Sequence, residues 1–111
     1  MIVDKHKVEG QTVLRVEGIV KLGESAEFLA QTLRRTLEQE EGNVMLDLSK
    51  INYIDSTGIG ELVGYLTRFR NQQRKLILIK PSERISKLLA MAQIADLFPT
   101  YENVEAALTA E

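Results

Sequence analysis

The sequence predicts an α/β fold. One domain would hold a central, mostly parallel four-stranded sheet with an antiparallel N-terminal hairpin strand and helices packed around it, in the order β-β-α-β-α-β-α-α. Three observations predict it. Two short, nearly continuous apolar runs, Val44–Leu48 and Leu76–Ile79, suit strands buried on both faces. Segments with helical apolar spacing stand between and after them, and such alternation implies right-handed crossovers and parallel pairing. Finally, 111 residues without a repeat, linker or low-complexity segment fit a single domain, residues 1–111. A domain of this size buries roughly two-thirds of its unfolded surface and needs no covalent staple.

Each element has its own signal. Ile2–Val8 reads as a strand with poor alternation, and Thr12–Val16 as a cleaner one. Glu9-Gly10-Gln11 between them reads as a hairpin turn, although it has no Asn-Gly pair. Ile19–Leu22 extends the second strand past Gly18 through a bulge. Glu24–Gln39 is a helix: Ala26, Leu29, Leu33 and Leu37 recur at helical spacing, and Phe28 and Ala30 widen the stripe. Glu24 and Glu27 sit in its first turn, where the helix dipole favours acids, and Gly42 stops it. After the Val44–Leu48 strand, a helix over Thr57–Arg70 carries Ile59, Leu62, Val63, Leu66 and Phe69. Leu76–Ile79 is closed by Pro81, and Ser82 caps a helix with Ile85, Leu88, Leu89 and Ala92. The Pro99 region is a connector, and Glu102–Thr109 a terminal helix with Val104, Ala107 and Leu108 facing in.

Composition excludes much chemistry. The chain is 44% hydrophobic and 27% charged, as ordinary soluble proteins are. It has no cysteine, which rules out disulfides, thiolate catalysis and cysteine-ligated zinc and suits a reducing cytoplasm. No apolar run approaches the roughly 20 residues that cross a bilayer, and the charged start MIVDKHKVEG lacks a signal-peptide core. A net charge of −2 gives no bulk attraction to nucleic acid. One stretch is basic: Arg68, Arg70, Arg74, Lys75, Lys80, Arg84 and Lys87 face only Glu83. It reads chiefly as a solvated face with cations near a helix C-terminus, and secondarily as a docking face for an acidic partner. His6 reads as a surface or edge-strand residue with no nucleophile to serve, and Asp47 and Asp55 lack metal-ligand spacing. GxxxxGK[ST] and GxSxG do not occur, and Gly58-Ile59-Gly60 does not complete GxGxxG. Nothing in these patterns supports an enzyme.

What stands out is YIDSTGIGELVGYL, beginning at Tyr53, where a central strand hands over to a helix. Asp55, Ser56 and Thr57 can each cap that helix. Gly58 and Gly60 strip bulk from its first turns at a cost of roughly 1 kcal/mol each against alanine. One reading is a helix cap with glycine-relaxed packing against a neighbouring strand. The other is a phospho-switch in which the glycines give a partner clearance. A phosphate on Ser56 would add about −1.5 to −2 charges, which helix amides tolerate and a partner facing Asp55 and Glu61 would not.

The longer stretch VMLDLSKINYIDSTGIGELVGYL closely resembles the core signature of STAS domains, the anti-sigma factor antagonists. Val13–Gly18 is similar to that family's second strand and closing glycine, and KLILIKPSERISKLLAMAQIADLFPTYENVEAAL to its last strand and final helices. The resemblance covers nearly the whole chain. It implies a small cytoplasmic bacterial protein in a partner-switching circuit, without cofactor or enzymatic activity. Unphosphorylated, such a protein binds an anti-sigma factor that is also a serine kinase, and a sigma factor is released. Phosphorylation breaks the complex and a serine phosphatase resets it. Neither nucleic-acid contact nor membrane insertion is implied. The phosphoacceptor maps to Ser56, and Asp55, Thr57, Gly58, Ile59 and Gly60 map to the surrounding docking surface. The chain departs from the family in Gly18-Ile19-Val20-Lys21-Leu22, where Ile19 and Lys21 stand at positions that are acidic in the family. A charge reversal at a docking rim costs several kcal/mol against the wrong partner, so Lys21 implies an altered kinase. Sister roles for such a domain are constitutive interaction modules: a stressosome-like scaffold component or the cytosolic subunit of a lipid-transport ATPase complex.

Overall fold

A computed structural model describes residues 2–111; Met1, part of the predicted 1–111 domain, lies outside the described residues. The elements are β1 (Ile2–Val8), β2 (Gln11–Val20), α1 (Glu24–Gln39), β3 (Val44–Ile54), α2 (Ser56–Arg70), β4 (Leu76–Ile79), α3 (Glu83–Met91), β5 (Thr100–Tyr101) and α4 (Val104–Ala110). The strands form one sheet in the order β1-β2-β3-β4-β5. β1 and β2 are antiparallel, and the remaining pairs are parallel.

The sheet therefore has five strands where the sequence predicts four. The added strand lies in the predicted Pro99 connector. It is only two residues long, too short for a periodic signal, and is recognisable by pairing alone: Leu78 N–H donates to Pro99 O and Lys80 N–H to Tyr101 O. The β1–β2 turn is a two-residue loop between Val8 and Gln11. Its residues Glu9 and Gly10 have φ of 49° and 81°, the positive pair that tight hairpins of this kind require.

β2 ends at Val20, two residues short of the predicted Leu22, and the register irregularities place the extra residues on its partner. Arg15 pairs with Asp47 but Glu17 with Lys50, and Gly18 pairs with Ile51 but Ile19 with Tyr53. β3 is thus the strand that gains a residue at each step. It also runs on to Ile54, well past the predicted Leu48. β4 covers only Val44–Asp47 of it, so beyond Asp47 no strand among the described residues pairs on that side. Lys50 and Asn52 are exposed there while Ile51 and Ile54 stay buried, which hides the strand from a search for continuous apolar sequence.

The sheet separates two cores. Leu14, Val16, Leu46 and Leu78 on one face pack with Leu29 and Leu33 of α1, Leu62, Leu66 and Phe69 of α2, and Ile85 and Leu89 of α3. Val13, Met45, Ile77 and Ile79 on the other face meet Ala107 of α4, flanked by Val104 and Leu108. Burying the large aliphatic side chains stabilises the fold by roughly 1.5–3 kcal/mol each before entropy is counted. Of the residues predicted to widen the α1 stripe, Ala30 packs against the core but Phe28 stays 39% exposed. α4 starts two residues later than predicted because the Asn103 side chain caps it, accepting from Ala106 N–H at 2.7 Å.

The basic stretch is largely used internally. The Arg74 guanidinium donates to the carbonyls of Leu37, Glu40 and Gly42 at 2.9, 3.0 and 2.7 Å. It closes the C-terminal end of α1 and lies over the Phe69 ring. Arg70 donates to Leu97 O, Lys75 pairs with Glu111, and Lys87 with Glu83.

Candidate functional site

The handover from β3 to α2 is built around Asp55. Its backbone is extended, its N–H donates to Val20 O at 3.0 Å, and its carbonyl accepts from Ile59 N–H. Its carboxylate faces two ways. Oδ1 accepts from Gly58 N–H at 2.9 Å, capping α2. Oδ2 accepts from Leu22 N–H at 2.8 Å, holding the loop that leaves β2. The amides of Gly58 and then Leu22, opposed by partial burial, hold the Asp55 carboxyl below the usual aspartate value.

Of the three predicted capping candidates, then, Asp55 alone takes the cap. Ser56 is left as the first residue of α2, exposed, with its hydroxyl making no hydrogen bond among the described residues. Thr57 and Ile59 are half-buried, Ile59 packing against the main core.

The two glycines differ. Gly58 is buried, and a Cβ on it would lie 2.7 Å from both Ile54 Cγ1 and Val20 Cγ1. Its missing side chain makes room for this chain's own core, so the expectation that it gives a partner clearance is corrected. At Gly60 a Cβ would meet nothing within 4 Å. Only there do the glycines leave the outer surface open.

The loop after β2 completes the site. Lys21 N–H donates to Ser25 Oγ at 2.9 Å, and Lys21 O accepts from Ser25 Oγ and from Ala26 N–H, both at 3.1 Å. Lys21 itself is exposed, and its ammonium forms no ion pair among the described residues. Leu22 is 76% exposed and Ile19 49% exposed, a conspicuous apolar pair on either side of Lys21. Sequence reasoning missed Leu22 and Ser25. Leu22 continues the period-two spacing of Val20 and so reads as a strand residue, but β2 ends at Val20 and leaves it in the loop. The structure thus brings Asp55, Ser56, Thr57, Gly58 and the Lys21–Leu22 segment together at one end of the sheet.

His6 is not part of this site. It lines an open cleft of about 470 Å³ on the α4 side of the sheet, together with Arg15, Asp47 and Lys80. Among the described residues no three His, Cys, Asp or Glu side chains cluster as a metal site would need, and no helix is long and apolar enough to cross a membrane.

Comparison with known proteins agrees with this architecture. The STAS domain family matches residues 3–107. The chain is 33% identical over 87 residues to the anti-sigma-B factor antagonist of Listeria monocytogenes, covering 75% of either chain. An anti-sigma factor antagonist from Mycobacterium paratuberculosis superposes with a TM-score of 0.87 at 18% identity, covering 98% of this chain and 92% of that one. The Bacillus cell fate determinant SpoIIAA in its phosphorylated form superposes with a TM-score of 0.73 at 15% identity, covering 98% of both chains. At such identities the two superpositions speak for the fold alone, whereas the family match spans nearly all of the sequence. The chain belongs to the STAS domain family.

Proposed function

We propose that this protein is an anti-sigma factor antagonist in a partner-switching circuit, a regulatory binding protein whose docking is controlled by phosphorylation of Ser56. The observation that carries the reading is the free, exposed Ser56 hydroxyl at the start of α2, with capping delegated to Asp55. The similarity to the Listeria antagonist supports the class of function. The partner is an anti-sigma factor that doubles as a serine kinase, and a serine phosphatase restores the hydroxyl. Asp55, Thr57, Ile59, Gly60 and Lys21 surround Ser56 on the docking surface, and Gly58 shapes it from beneath.

The mechanism is electrostatic. A phosphate on Ser56 sits at the positive end of α2, so the domain tolerates it. A partner packed against the same surface meets about two new negative charges beside Asp55 and Glu61 and loses affinity. Binding of purified serine-kinase anti-sigma factors to wild type, Ser56→Ala and Ser56→Asp tests this. Retained affinity for Ser56→Ala with at least tenfold weaker binding of Ser56→Asp is expected. Equal affinities for the two variants would instead favour a second reading, a constitutive interaction module in a scaffold or transporter complex. The apolar and basic rim of Ile19 and Lys21 motivates that alternative.

A further inference from the structure

The Asp55 carboxylate does more than cap a helix. A cap needs one acceptor oxygen, and Oδ1 supplies it to Gly58 N–H. The second oxygen reaches across to Leu22 N–H, 33 residues earlier in the chain. Asp55 N–H holds Val20 O from the same side. Ser25 and Ala26 fasten Lys21 from the other side, so each residue from Val20 to Leu22 is held through its main chain. A loop fixed in this way still presents Leu22, the most exposed large apolar side chain near Ser56, to solvent. The hydrogen bonds order the backbone, and the leucine they present, with Ile19 close by in the chain, buries little apolar surface against its own domain. Such an arrangement suits an interface, because a pre-positioned apolar side chain binds without a further ordering cost.

Resting on the phospho-switch reading, we propose that Asp55 is a positioning residue that latches the β2–α1 loop to α2, so that Leu22 is held beside Ser56 as an apolar anchor for the same partner. The partner that fits is a protein surface with an apolar socket for Leu22 and a carboxylate placed for Lys21. Ile19 flanks the socket on the β2 side. The latch makes Ser56 and Leu22 one surface although they belong to different segments, and it sets which partner can read the serine.

The latch can be separated from the cap. In Asp55→Ser the single hydroxyl still caps α2 but cannot also serve Leu22; Asp55→Asn, with one acceptor oxygen, is the second variant should the first not fold. Amide hydrogen exchange by NMR on the full chain is expected to show the Leu22 N–H exchanging at least tenfold faster in Asp55→Ser, with Gly58 N–H still protected. Unchanged Leu22 protection overturns the latch. Affinity is then measured against each purified serine-kinase anti-sigma factor of the source organism. Leu22→Ala and Asp55→Ser are expected to bind at least tenfold more weakly than wild type, and Lys21→Glu more weakly with a reversed salt dependence. Met91→Ala, which removes an equally exposed side chain on α3, is expected to leave binding unchanged. Wild-type binding with no loss in Leu22→Ala overturns the anchor and leaves the phospho-switch standing. No binding of wild type to any of these kinases overturns the phospho-switch and the anchor together.

Discussion

Gly58 and Gly60 make a matched pair of substitutions whose effects should differ in sign. In Gly58→Ala the new methyl lies 2.7 Å from Ile54 Cγ1 and Val20 Cγ1 and 3.2 Å from Ile54 Cδ1. Both neighbours are β-branched and fully buried, so neither can rotate away cheaply. Inserting a methyl into a packed core costs about 1–3 kcal/mol, and two contacts at 2.7 Å against immobile neighbours place this case at about 2–3 kcal/mol. Replacing glycine within a helix returns at most about 1 kcal/mol, which leaves Gly58→Ala destabilised by roughly 1–2 kcal/mol. At this chain length that corresponds to a Tm lower by roughly 4–10 °C. In Gly60→Ala the methyl meets open space, so only the helix-propensity gain remains and Tm rises by a few degrees. Thermal unfolding followed by circular dichroism, with urea midpoints as a second measure, reads both. A Gly58→Ala protein as stable as wild type would refute the packing argument, because it would mean that the Val20–Ile54 contact has room to spare.

Other outcomes follow from the same geometry. Hydrogen bonds from Lys7 and Lys5 lower the Glu40 carboxyl from an ordinary 4.5 to about 2, so its contribution is present above the unfolded value and lost as pH falls from about 4.5 towards 2. Glu40→Gln should therefore be less stable than wild type at pH 7, with the gap closing below pH 4; urea midpoints across that range check it, and a constant gap would contradict it. Arg74→Lys should cost roughly 1–2 kcal/mol in urea unfolding, since an ammonium cannot reproduce the fork that serves Leu37, Glu40 and Gly42. Leu33→Ala, at a fully buried position of α1, should cost about 2–5 kcal/mol by the same assay.

Where the sequence could be read, one local pattern sufficed. The four residues of β4 are all buried, and an unbroken LILI between turn residues says so. α1 runs from Glu24 to Gln39 as its apolar spacing predicts. Reading became harder wherever the deciding contact is distant in sequence. β5 exists only because the Pro99 and Tyr101 carbonyls meet the amides of Leu78 and Lys80. The second half of β3 carries the exposed Lys50 and Asn52, and β4 pairs only with its first four residues. The role of Gly58 depends on two side chains contributed by different strands. The exposed serine could be singled out from its place at the strand–helix junction, because capping residues and glycines are local signals. That Asp55 would take the cap, and reach Leu22 with its other oxygen, depends on the parallel pairing of β2 with β3.

The most direct test of the switch is chemical. Wild type and Ser56→Ala are incubated with the serine-kinase anti-sigma factor that binds the chain and ATP, then digested and examined by phosphopeptide mass spectrometry. The expected result is a single phosphate on the peptide containing Asp55-Ser56-Thr57, localised to Ser56, and none on the variant. A kinase that is active on a control substrate yet leaves Ser56 unmodified would contradict the account.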